Sequence, residues 1–133
     1  MSGRRILIVD NEAVVIRVLR LALERAGFRV DTAANGAQAL ASLLQSPPDA
    51  LITDIEMPVM SGEELCARLR LEMPERGFPI FVVTSLTGLE HRSWSRDVPN
   101  LHFMEKPVSA RKLQAALESY FSAEVTDGRS SIA

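Results

Sequence analysis

Cysteine is nearly absent from this chain: Cys66 stands alone among 133 residues. That excludes an intramolecular disulfide framework and a cysteine-rich zinc site. It also makes a reducing cytoplasm the expected compartment. Long hydrophobic runs are missing too. None approaches the roughly 20 residues of a membrane span, and Ile6-Leu7-Ile8-Val9 behind Arg4-Arg5 is too short for a secretory signal. Neither charge sign dominates. Fifteen Lys and Arg against seventeen Asp and Glu leave a net charge of −2, which argues against a broad non-specific nucleic-acid surface. No direct nucleic-acid partner and no membrane partner are expected. His91 and His102 have no matching ligand pair, and the chain has no internal repeats or low-complexity tracts.

What is present is an ordinary globular composition, 47% hydrophobic and 24% charged. The length suits one domain, which can bury roughly two-thirds of the surface its unfolded chain exposes. Short apolar runs alternate with amphipathic stretches. Ile6–Val9, Phe28–Ala33, Ala50–Thr53, Ile80–Val83 and Leu101–Met104 read as strands. Residues 12–26 and 36–45 read as helices, and a third follows Ser61, opened by a capping box with Glu64 and keeping Leu65 and Leu69 on one face. Ser109 caps a final helix expected to run to about Tyr120. The stretch 86–100, with Gly88, Pro99 and sparse apolar residues, predicts only a short or irregular fourth helix. The domain is therefore expected over 1–121, with 122–133 as a flexible C-terminal tail. Strands 1, 3 and 4 are nearly continuous hydrophobics, as in a parallel sheet covered on both faces.

Such sheets carry ligands outside the C-terminal ends of their strands. Asp10, Asn11 and Glu12 follow strand 1, Asp54 follows strand 3, Thr84 and Ser85 follow strand 4, and Lys106 follows strand 5. Two carboxylates at one edge repel, so a positive group belongs between them. Hard oxygen ligands suit Mg²⁺. A lysine and a hydroxyl can hold phosphoryl oxygens, and an Asp so placed can attack phosphorus to give an aspartyl phosphate. Each residue also has a plainer role: Asp10 and Asn11 as helix caps, Thr84 as a strand end, Lys106 as a solvated surface charge, Phe103 as a core aromatic.

The segments Ile-Leu-Ile-Val-Asp10-Asn11-Glu, Thr-Asp54-Ile-Glu-Met-Pro58-Val-Met-Ser-Gly62, Val-Val-Thr84-Ser85 and Glu-Lys106-Pro107 resemble the receiver domain of two-component response regulators. The resemblance runs from about Arg4 to Phe121. It implies a flavodoxin-like α/β fold with a five-stranded parallel sheet in the order 2-1-3-4-5 and helices on both faces. It also implies that Asp54 is the phosphoacceptor, charged from a histidine kinase or phosphotransfer protein. Asp10 and Asp54 would hold Mg²⁺ with the backbone carbonyl of Glu56, while Thr84 and Lys106 would contact the phosphoryl group. Phe103 would follow Thr84 as a switch rotamer, and the Lys106-Pro107 bond would be cis. The face of the fourth helix, fifth strand and fifth helix would carry the signal to a downstream protein partner or a homodimer. The expected role is a switch with slow self-catalysis rather than a metabolic enzyme.

The sequence departs from the family's pattern at Asn11, where a second acid is usual. Removing one charge about 4 Å from Mg²⁺ forfeits roughly 8 kcal/mol of gross attraction at an effective dielectric near 20. The net loss is much smaller, because Asn still coordinates and costs less to desolvate. Weaker Mg²⁺ binding is expected, with Glu56 as a partial compensation at the metal. No effector segment fits in the twelve residues after Phe121, so a receiver without its own output domain is expected. The alternatives are a phosphorylation-independent pseudo-receiver that acts as a protein-binding module, and a small phosphohydrolase with Asp54 as nucleophile and Glu56 as acid. The second would need a substrate cap for which the chain has no room. A flavin site would need a phosphate-cradling loop where Asp10-Asn11-Glu12 stands.

Overall fold

Strands that are apolar on both faces need a helical layer on each side, and parallel neighbours need a crossover between them. The computed structural model, which describes residues 3–85 and 92–132, meets both demands. Its elements are β1 (Arg5–Val9), α1 (Ala13–Arg25), β2 (Arg29–Ala33), α2 (Gly36–Gln45), β3 (Ala50–Asp54), α3 (Gly62–Glu72), β4 (Ile80–Thr84), α4 (Arg92–Ser95), β5 (Leu101–Glu105) and α5 (Ala110–Ile132). The five strands form one all-parallel sheet in the order β2-β1-β3-β4-β5. This is the flavodoxin-like arrangement.

Two apolar clusters sandwich the sheet, and the two-residue alternation of the strands assigns side chains to them. Leu7, Val9, Leu51, Ile80 and Val82 join α2 and α3 on one face. Ile6, Ile8, Ala50, Ile52, Phe81 and Val83 join α1 and α5 on the other. Strands β3 and β4 are buried throughout, while edge strand β5 is half-exposed.

The helix ends follow local chemistry. After α1, Gly27 takes φ +100°, a left-handed conformation open to glycine without steric cost. Ser61 Oγ accepts from the Glu64 amide and Glu64 Oε1 from the Ser61 amide, so the capping box of α3 is closed. Helix α4 is four residues long. Gly88 and His91, weighed in the sequence, lie outside the described residues. Helix α5 runs to Ile132, past the Tyr120 end that the sequence predicts. No proline follows Pro107 to interrupt the backbone ladder. Its side chains pack on the sheet through Leu113, Leu117 and Phe121. Among the described residues no helix is long and apolar enough to cross a membrane.

Candidate functional site

The alternation that sorts the core also sorts the polar residues at the sheet's C-terminal edge. Asp10 continues the parity of Ile6 and Ile8, and Asp54 that of Ala50 and Ile52, so both carboxylates belong to the α1/α5 face. Register places them side by side, since Val9 pairs with Thr53 one residue earlier. Lys106 arrives from the far side of β4. Its backbone amide donates to the Thr84 carbonyl at 2.9 Å. Its Nζ reaches Asp54 Oδ2 at 2.9 Å, an ion pair between residues 52 positions apart. The Lys106–Pro107 peptide bond is cis.

Asp54 is buried, and both of its carboxylate oxygens are engaged. Oδ1 accepts from the Ile55 amide at 2.7 Å while Oδ2 takes the lysine. Its carbonyl accepts from Thr53 Oγ1 at 2.8 Å. Asp10 is equally buried, and its Oδ1 accepts from the Glu12 amide at 2.9 Å. Burial pushes the Asp10 carboxyl above the ordinary carboxylate range. The Glu12 amide and the Lys106 charge pull it down, while the Asp54 and Glu12 charges push it further up. For Lys106, burial favours the neutral amine. The hydrogen bond to Asp54 and the charges of Asp54, Asp10 and Glu12 outweigh it, holding the ammonium above its ordinary value.

These groups open onto a cavity of about 440 Å³. Its polar lining is Asp10, Glu12, Thr53, Asp54, Ser85 and Lys106, and its apolar lining includes Val15, Leu19, Ile52, Val83 and Val108. Of the candidate site residues, Asp10, Asp54 and Lys106 come together here. Asn11 and Glu56 are exposed and do not line the cavity. Thr84 is buried and follows the parity of Ile80 and Val82, toward the α3/α4 face. Phe103 is half-exposed on that same face and meets Trp94 of α4 edge-on, with centroids 6.2 Å apart. Glu12 is the residue to which the sequence attached no role. The one signal for it was an acid, rather than Ser or Asn, at the start of α1.

Among the described residues no three acidic, histidine or cysteine side chains cluster closely enough to cage a metal. Two adjacent carboxylates do fit a hard cation that keeps several of its waters, as Mg²⁺ does. A charge-dense ion also offsets the repulsion between the two carboxylates.

Behind the carboxylates, the β3–α3 connection is tied down. The Gly62 amide donates to Ile55 O at 2.8 Å. A Cβ on Gly62 would lie 2.2 Å from the Asp54 carbonyl oxygen, so only glycine admits this approach. The Gly36 amide donates to Met60 O at 3.1 Å, and a Cβ there would come within 2.5 Å of that oxygen. Between them Val59 sits at φ +68°, and the Met60 amide donates to Pro58 O at 2.7 Å, closing a γ-turn.

Known proteins share this fold. The chemotaxis response regulator CheY4 of Vibrio cholerae superposes with a TM-score of 0.80 at 29% identity, covering 89% of this chain and 98% of that one. A CheY-like receiver domain protein of Methanospirillum hungatei superposes with a TM-score of 0.84 at 27% identity, covering 95% and 99%. The phosphate regulon transcriptional regulatory protein PhoB of Pseudomonas aeruginosa is 34% identical over 119 residues, 90% of this chain and 52% of that protein. The chain thus spans about half the length of several transcriptional regulators that it matches. The family model described as the response regulator receiver domain covers residues 6–118, and with the sheet order and the edge site in place the chain belongs to that family.

Proposed function

We propose that this chain is a phosphoacceptor switch of a two-component system, carried by residues 1–121. It accepts a phosphoryl group on Asp54 from the phosphohistidine of a kinase or phosphotransfer protein in the cytoplasm. What supports the reading is the Lys106–Asp54 contact of 2.9 Å beside Asp10, on one face of the sheet edge. A nucleophilic carboxylate needs an adjacent cation to accept a phosphoryl group's added charge, and this pair supplies it.

A carboxylate oxygen of Asp54 attacks phosphorus and the phosphorus–nitrogen bond to the donor histidine breaks, leaving an acyl phosphate. Lys106 shifts its pairing from Asp54 Oδ2 to a phosphoryl oxygen. The Thr84 hydroxyl takes a second phosphoryl oxygen. Asp10, Asp54 and the backbone carbonyl of Glu56 would hold Mg²⁺, which when bound would offset charge developing in the transfer. Water cleaves the acyl phosphate and resets the switch, so the chain turns over its own modification and no external metabolite. Movement of Thr84 is felt on the α3/α4 face by Phe103 and Trp94. The output surface in this reading is α4, β5 and α5, toward a downstream protein or a second copy of the chain.

Incubation with acetyl phosphate and Mg²⁺, followed by intact-mass spectrometry, tests the reading. A phosphoryl adduct on the wild type and none on Asp54→Asn is the expected result. If no donor, beryllofluoride included, perturbs the wild type, the chain is instead a phosphorylation-independent binding module, a reading that the exposed Asn11 outside the cavity also fits.

A further inference from the structure

The acid missing at position 11 leaves open what holds the cation's charge. The sequence offered Glu56 for this; Glu56 and Glu12 are both exposed, and Glu56 does not line the cavity. Glu12 does line it, with Asp10, Asp54 and Lys106. Three observations converge on Glu12. It is the N-cap of α1 but makes no side-chain cap hydrogen bond, so its carboxylate is not committed to the helix amides. Its backbone is extended (φ −101°, ψ 109°), two residues beyond Asp10 and on the same side. Its amide is fastened to Asp10 Oδ1 at 2.9 Å, which fixes the two acids relative to each other. Its charge also reaches both Asp10 and Lys106.

We infer that Glu12 is the charge-setting residue of the Mg²⁺ site, acting on the hydrated ion through a metal-bound water and restoring the negative charge that Asn11 lacks. The inference rests on the phosphoacceptor reading above and deepens it. Action through water follows from the absence of a three-acid cage among the described residues. It also follows from the habit of Mg²⁺ of keeping several waters while two carboxylates bind it directly. Asp10 and Asp54 are the direct ligands, and Glu12 sets affinity rather than geometry.

Isothermal titration of the full chain with MgCl₂ at low ionic strength is the test, read as a dissociation constant and not as phosphorylation. Glu12→Gln should weaken binding about fivefold, the effect of one charge on a divalent ion across a water layer. The loss should shrink as salt is raised. Glu12→Asp should fall between the two. Glu24→Gln, the same charge change at the far end of α1, should bind as the wild type does. Wild-type affinity in Glu12→Gln overturns the inference. So does an equal loss in Glu12→Gln and Glu24→Gln, which would reduce the effect to net charge, and so does a loss confined to Glu56→Gln. If the wild type binds Mg²⁺ and accepts phosphate while Glu12→Gln is silent, only this inference fails. If the wild type binds no Mg²⁺ and accepts no phosphate, the phosphoacceptor reading fails with it.

Discussion

Two connections leave the same sheet edge and are built in opposite ways. The β3–α3 connection, which follows Asp54, is fixed by backbone hydrogen bonds from Gly62 and Gly36, a γ-turn and a closed capping box. Among the described residues the route from β4 to β5, which follows Thr84, carries the four-residue α4 and leads into a half-exposed edge strand. Among its described residues, Trp94 meets Phe103 edge-on and Val98 is buried. A carboxylate that must meet a cation and a phosphoryl donor needs a fixed position, because small displacements cost transfer rate steeply. A segment that reports the modification needs two arrangements close in energy. Under the proposed function, the connection after Asp54 would serve the first need and the route from β4 to β5 the second.

Substitutions can break or sharpen this contrast. The largest effect is expected at the rigid connection. Gly62→Ala drives a Cβ into the Asp54 carbonyl, and backbone at both ends leaves little room to yield. A loss of about 2–4 kcal/mol in urea unfolding is expected, with slower labelling of Asp54. A near-neutral result would show that the connection relaxes freely and would remove the contrast. Trp94→Ala, on the lightly packed side, should cost about 1–2 kcal/mol, since the indole is only partly buried. Asp54 labelling should continue, and the near-ultraviolet dichroism change on adding beryllofluoride should shrink. Abolished labelling in this variant would make the two regions one unit. The smallest effect, of opposite sign, is expected at Val59, a β-branched residue at φ +68° whose side chain is 79% exposed. Val59→Gly relieves strain and loses no packing, so a gain of about 0.5–1 kcal/mol is expected by thermal unfolding. A loss would mean that the turn is held by contacts of the valine side chain.

Much of the molecule was legible in the residues. The run Ile80–Val83 is apolar without alternation, which only a strand covered on both faces tolerates, and β4 is buried throughout. Ser61 and Glu64 announced the start of α3 because a capping box needs just those two side chains at that spacing. The end of α5 was not legible. Polar residues after Phe121 look like a tail by composition, yet nothing in them forbids helical backbone, and the helix continues to Ile132. Gly62 stands in the sequence only as the end of the Asp54 segment, while its main constraint is the Asp54 carbonyl eight positions earlier, a contact no local pattern reveals.

By itself the sequence determined the element order, the two-sided burial of the sheet and the presence of Asp10, Asp54 and Lys106 at strand ends, because periodicity and strand length are local properties. Only the tertiary structure decided which polar side chains share a cavity. Lys106 meets Asp54 because β4 lies between their strands in a parallel register. Glu12 lines that cavity while Asn11 and Glu56 stay outside, since the direction of a side chain past a strand end depends on how the chain turns into the next element.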